Sequence, residues 1–169
     1  MALSYLDKTY VIFDGKQDMA AYHFMRGWKE TNHVDFDFHD AHDLYTEELS
    51  MRHAVRRWLR KRFASGRQVI VLVGEYTRHK HRFVRWQMDA ALDLGLPIIA
   101  ANLNQKRRLD PDRCPPVLMG ECVVHVAFRA RIIKYALDNF PEQFASRTSD
   151  LGKDFYYDDS VYRSLGLDD

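Results

Sequence analysis

The stretch Gln68-Val69-Ile70-Val71-Leu72-Val73-Gly74 decides the fold class of this chain. Five consecutive apolar residues, four of them β-branched, stand between a polar first residue and a glycine. Because neither face of such a strand can be left in water, the pattern is typical of a central parallel strand that helices cover on both sides. The sequence therefore predicts an α/β domain built around residues 68–73.

Apolar runs and amphipathic segments alternate five times along the chain, which favours an open parallel sheet with helices on both faces. Right-handed crossovers and short connections favour a five-stranded sheet in the order 2-1-3-4-5. The last helix is expected to stop before Pro141. The other predicted strands are residues 10–13, 36–40, 97–103 and 123–128, and the helices are 18–30, 49–63, 81–94 and 131–139.

The length of 169 residues suits one domain. Residues 1–141 hold the whole strand and helix alternation. Residues 142–169 are polar but keep several aromatic side chains. They are predicted to form a C-terminal tail that packs on the same domain.

Composition excludes several classes of partner. The chain has 25 basic and 24 acidic residues and a net charge of +1, which argues against a nucleic-acid binder and against attachment to a charged membrane surface. No apolar run approaches the ~18 residues that span a bilayer, and the N-terminus has no apolar signal core. Cys114 and Cys122 fit neither a zinc knuckle nor a disulfide scaffold. We expect a cytoplasmic protein with reduced thiols.

A ligand site is expected where the strand order reverses, beyond the carboxyl ends of strands one and three. Strand one brings Phe13, Asp14 and Gly15 to this edge, and strand three brings Gly74 and Glu75. Asp14 and Gly15 also form a turn in which backbone N–H groups can bind an anion. The predicted site is a carboxylate-rich mouth with an aromatic residue at its base.

A metal site is one alternative for this edge. The segment 39–43, His-Asp-Ala-His-Asp, follows strand two and holds two imidazoles and two carboxylates. Loop ligands without a third histidine nearby are usually only polar, so no metal is predicted. Asp40 and His42 are retained as binding residues.

A phosphoryl-accepting receiver domain is a second alternative. It needs an aspartate on strand three and a lysine at the end of strand five. Glu75 and the Phe128-Arg129 pair occupy those places, so the receiver function is disfavoured.

Several segments together resemble the TIR-like domain of Thoeris ThsB proteins and their short relatives. The resemblance runs from Tyr10 to Leu167, and its clearest segments are VIVLVGEYTR (69–78), FVRW (83–86) and LPIIAANLN (96–104), with FDFHDAHD (36–43) and DRCPP (112–116). It implies a flavodoxin-like TIR fold and cleavage of NAD at the nicotinamide–ribose bond. It further implies an ADP-ribose-derived signalling nucleotide that acts on a separate effector protein in anti-phage defence. NAD is then the substrate, no cofactor is required, and self-association into a homo-oligomer is expected.

The catalytic glutamate of TIR enzymes lies on the helix after strand three, four residues past an aromatic residue. Phe83 takes the aromatic place here, and Gln87 takes the place of the glutamate. Residues four apart lie one turn apart on one helix face. Glutamine keeps the shape but not the charge that stabilises a cationic ribose, and a loss of ~2.7–4 kcal/mol means at least a hundredfold lower rate. Either the chain is an inactivated variant, which we favour, or Glu75 or Asp14 supplies the charge.

The resemblance also places the remaining binding residues. Phe13 and Asp14 fall where family members hold the nicotinamide end of the dinucleotide, and Asp40 and His42 precede the loop that covers the pocket. A non-catalytic domain that assembles through TIR-type surfaces remains the alternative function.

Overall fold

A computed structural model describes residues 9–28, 38–40, 52–64, 66–80, 82–146 and 153–167. The strands are β1 (Thr9–Ile12), β2 (Phe38–Asp40), β3 (Gln68–Val73), β4 (Ile98–Asn102), β5 (Val123–Ala127) and β6 (Phe155–Tyr156). The helices are α1 (Met19–Arg26), α2 (Arg52–Phe63), α3 (Phe83–Asp93), α4 (Ala130–Ser146) and α5 (Asp159–Ser164). Two short 3-10 helices span Thr77–His79 and Pro116–Leu118.

The strands form one sheet in the order β2-β1-β3-β4-β5-β6, and every neighbouring pair is parallel. This confirms the predicted α/β class with its parallel sheet. Strand β1 lies between β2 and β3, with Val11 opposite Asp40 on one side and opposite Ile70 on the other. The switch point therefore lies between β1 and β3, at their carboxyl ends.

Alternate residues of the central strands pack on opposite faces of the sheet. Val69, Val71 and Val73 of β3 belong to the core under α2 and α3. Ile70 and Leu72 belong to the core under α1 and α4. All six residues of β3 are buried, which is why the strand reads as a continuous apolar run rather than an alternating one.

The sheet has a sixth strand that the sequence does not predict. Phe155 and Tyr156 pair with Val124 and His125 at the edge of the sheet. Further along the chain, the fully buried Tyr162 accepts a hydrogen bond of 3.1 Å at its hydroxyl from the Ala127 N–H. Residues 153–167 thus add a strand beside β5 and pack against that strand.

The prediction that the last long helix stops before Pro141 is wrong. Helix α4 continues to Ser146 with Pro141 inside it. The proline removes one backbone hydrogen bond, but the extra turns bring Phe144 against the core, where its ring lies 5.9 Å from that of the buried Phe140. Burial of these aromatic rings offsets the local cost, and residues 142–146 continue the helix.

Candidate functional site

Two short loops meet at the switch point. After β1 the chain turns at Asp14, whose carbonyl accepts hydrogen bonds from Gln17 N–H (3.2 Å) and Asp18 N–H (2.8 Å), and then enters α1. After β3 the chain passes through Gly74 into the 3-10 helix that begins at Thr77. Because β1 and β3 are adjacent and parallel, both loops lie at the same edge of the sheet.

Asp14 is the buried carboxylate of the first loop, with 2% of its surface exposed. One carboxylate oxygen accepts a hydrogen bond of 3.0 Å from Lys16 N–H. The other lies 3.4 Å from the Lys80 ammonium, which is about one-third exposed. The sequence analysis names Asp14 but not Lys80, so the charge that balances this carboxylate is a new element of the site.

Asp18 is a second buried carboxylate that sequence reasoning missed. It occupies the N-cap position of α1, but its side chain caps no N–H group of the helix. It lies over Gly74 instead, so closely that a Cβ atom on that glycine would be 2.3 Å from the Asp18 Oδ2 atom. Burial, followed by the proximity of Asp14, raises the pKa of Asp18 from 3.8 to about 6, against the opposing effects of Arg113, Lys80 and Thr77.

Thr77 holds the second loop beside this carboxylate. Its hydroxyl accepts a hydrogen bond of 2.8 Å from Gly74 N–H and donates one of 3.3 Å to the Leu72 carbonyl. Thr77 also lowers the pKa of Asp18. We call Asp14, Asp18, Thr77 and Lys80 the switch-point cluster. It places two carboxylates, a hydroxyl and an ammonium at the edge where an open α/β sheet binds ligands.

Three of the predicted site residues border this cluster, but only two present a surface. Gly15 and Glu75 are exposed at the mouth of the site. The Phe13 ring is fully buried and stacks on the Tyr22 ring with centroids 4.6 Å apart. Phe13 therefore packs in the core.

Phe83 and Gln87 both lie on α3, one turn apart as predicted. The half-buried ring of Phe83 faces the Trp58 ring of α2, 6.4 Å away. Gln87 is fully buried. A ligand can reach the amide of Gln87 only if the groups around it move.

The remaining predicted binding residues belong to strand β2 and the loop after it. The backbone of Asp40 ends β2 opposite Val11, and its side chain lies outside what the structure describes. His42 also lies outside the described residues. Their assignment stays a prediction.

Within the described ranges, no group of three or more His, Cys, Asp or Glu side chains is placed to hold a metal ion. Over the same residues, no helix is both long enough and apolar enough to cross a membrane.

Residues 10–108, more than half of the chain, match the family described as Thoeris protein ThsB, TIR-like domain. The matched segment contains the whole switch-point cluster together with Phe83 and Gln87. A search of curated proteins gave no match.

Proposed function

We propose that the chain binds NAD at the switch point and acts on the bond between nicotinamide and ribose, because it belongs to the family of the Thoeris ThsB TIR-like domain. Family membership makes it a TIR-like protein of anti-phage defence. The observation that carries the proposal is the meeting of two buried carboxylates, Asp14 and Asp18, with the Lys80 ammonium at this edge.

The chemistry of the cluster matches two parts of a dinucleotide, the ribose and the diphosphate, and also the ribose cation that forms on cleavage. Carboxylate oxygens accept hydrogen bonds from ribose hydroxyls. An ammonium that is one-third exposed is available to a diphosphate as a point charge. Buried negative charge stabilises the cationic ribose that forms when the glycosidic bond breaks, because the surrounding dielectric is low.

The residue at the family's catalytic position limits turnover. Gln87 offers hydrogen bonds but no charge, and loss of one charge-stabilising group costs at least about a hundredfold in rate. We therefore propose a protein that retains the NAD site and cleaves slowly. The product would be derived from ADP-ribose and would act on a separate effector protein.

Binding is tested by calorimetry and thermal shift with NAD. We expect the wild type to show saturable binding and a raised melting temperature. Lys80→Gln and Asp18→Asn should each weaken binding by about tenfold, which is the effect of losing roughly 1.4 kcal/mol. Lys134→Gln is the matched control, because Lys134 also pairs with an aspartate, Asp138, but on the outer surface of α4. Equal NAD affinity in all four proteins would exclude a site at the switch point.

Catalysis is tested by restoring the acid. Gln87→Glu should raise nicotinamide release, measured by mass spectrometry, by about a hundredfold. It should also lower the melting temperature, because a carboxylate at a fully buried position is costly to ionise. Gln87→Met is the control that keeps the size without the acid. No gain in a folded Gln87→Glu protein would remove Gln87 from the catalytic position.

A non-catalytic interaction domain is the second candidate function. The neutral, fully buried side chain of Gln87 favours it. Such a domain would show no NAD-dependent rise in melting temperature but would self-associate or bind a partner. Sedimentation with and without NAD separates the two functions and also tests the expected homo-oligomer.

A further inference from the structure

We propose a second ligand site, for a nucleotide, in a cavity that lies beyond the carboxyl ends of β4 and β5 and is separate from the switch-point cluster. The cavity has a volume of about 490 Å³, which is within the range of small-molecule sites. Its lining comes from α1, from the residues after β4 and β5, from the start of α4, and from the segment after α5. We call it the aromatic cavity.

Three aromatic rings form one wall of the aromatic cavity. The rings of Trp28 and Phe128 lie 5.1 Å apart, and the Phe24 ring lies 6.1 Å from Trp28 and 6.4 Å from Phe128. Trp28 is buried, whereas 65% of Phe24 is exposed. Phe24 thus presents a ring to solvent on a rigid aromatic base. Any nucleobase can stack on such a surface, because every base has an aromatic face.

Arg129 and Arg131 also line the aromatic cavity. The Arg131 guanidinium donates a hydrogen bond of 2.9 Å to the Leu165 carbonyl. It also lies against Gly166, where a Cβ atom would come within 2.8 Å of its Nη1 atom. A guanidinium has five N–H donors, so this anchor leaves donors for an anion. Because the side chain is already held, less entropy is lost when a phosphate binds.

Gln105 connects the aromatic cavity with a neighbouring cationic hollow. Its backbone has a φ of +71°, which is unusual for a residue other than glycine. Its side-chain amide donates a hydrogen bond of 3.0 Å to the Phe128 carbonyl. The same residue borders the second hollow, of about 460 Å³, which is also lined by Lys106, by Arg108 and by Arg107 paired with Asp159. Backbone strain of this kind persists where the surroundings hold it and is frequent at ligand clamps.

These features together specify an aromatic base that carries phosphate. The exposed ring recognises the base, the fixed guanidinium recognises the first phosphate, and the cationic hollow extends the path for a longer phosphate chain. The aromatic cavity can bind a nucleotide whether or not the protein cleaves NAD, because none of its lining residues belongs to the switch-point cluster.

The test uses calorimetry with AMP and, separately, with inorganic phosphate. We expect AMP to bind the wild type more tightly than phosphate does. Phe24→Ala and Arg131→Gln should each weaken AMP binding by about tenfold. Leu94→Ala and Arg163→Gln are matched controls, since one removes an exposed apolar side chain and the other an exposed arginine outside the cavity. Both should bind AMP as the wild type does.

Variants at the other site show which site AMP occupies. Lys80→Gln should leave AMP binding unchanged, whereas Phe24→Ala should leave the response to NAD at the switch point unchanged. Loss of AMP binding in Lys80→Gln but not in Phe24→Ala would overturn the proposal. So would phosphate binding as tight as AMP binding, or no AMP binding at millimolar concentration. A change in the sedimentation of Phe24→Ala would instead identify the aromatic wall as a contact between copies of the chain, and would equally overturn it.

Discussion

Replacement of Gly74 by alanine tests the geometry of the switch-point cluster directly. The new Cβ atom would lie 2.3 Å from Asp18 Oδ2, 2.7 Å from Oδ1 and 2.8 Å from Cγ. Ordinary contact begins near 3.4 Å, so the carboxylate must retreat by about 1 Å. That movement disturbs the buried packing around the carboxylate. Overpacking of this kind costs ~1–3 kcal/mol.

Thermal unfolding measures the expected loss. For a chain of this length, each kcal/mol lowers the melting temperature by ~2–4 °C. Gly15→Ala is the matched control in the facing loop, because a Cβ atom there meets nothing within 4 Å. It should be close to neutral.

A double-mutant cycle identifies the group that Gly74 accommodates. Asp18→Ala removes the carboxylate. Gly74→Ala should therefore destabilise the Asp18→Ala variant much less than the wild type, with a coupling energy of ~0.5–3 kcal/mol. If the two costs add to within ~0.5 kcal/mol, then Asp18 is not the neighbour that requires glycine. The proposed geometry of the cluster would then be refuted.

Two further predictions concern the pH dependence of stability and the C-terminal segment. The pKa of Asp18 is raised from 3.8 to about 6 in the folded state, so the folded state binds the proton more tightly. The free energy of unfolding therefore falls as pH rises from 3.8 to 6. Urea titrations should show that Asp18→Asn removes this fall, and equal pH profiles of variant and wild type would contradict the prediction. Burial lowers the pKa of His125, which gives the opposite slope below pH 6.5, so the difference between variant and wild type is the quantity to compare. Tyr162→Phe leaves the Ala127 N–H without its acceptor and should cost ~1–3 kcal/mol, whereas Tyr156→Phe, at an exposed ring, should cost almost nothing.

The fold could be predicted where burial makes the sequence pattern strong. Strand β3 is covered on both faces, so its apolar run is unbroken and its bounds are as predicted. Strand β6 has only two residues, too few to show a period. The end of α4 was misjudged because the proline rule is local, while the burial of Phe140 and the packing of Phe144 depend on the tertiary fold.

The candidate site could be predicted only in part, for a related reason. Residues directly after β1 and β3, such as Asp14 and Glu75, follow from topology alone. Asp18 reads as an ordinary helix cap, and Lys80 stands in a polar segment with no pattern. The one sequence feature that could have pointed to Asp18 is Gly74, since a glycine that ends a buried strand often marks a close approach by another group.

The electrostatics of the cluster connect the two halves of the proposed function. Burial and Asp14 oppose the ionisation of Asp18, whereas Arg113 and Lys80 favour it. Because the pKa stays raised, these two cations compensate the pair of carboxylates only in part. The pyridinium of NAD, or the cationic ribose that follows its release, would bring that charge to the carboxylates and lower the pKa of Asp18. An interaction that strengthens as positive charge moves from the nicotinamide ring to the ribose favours the transition state over bound NAD. The cluster can therefore provide part of the stabilisation that Gln87 lacks, without any change in the position of the amide.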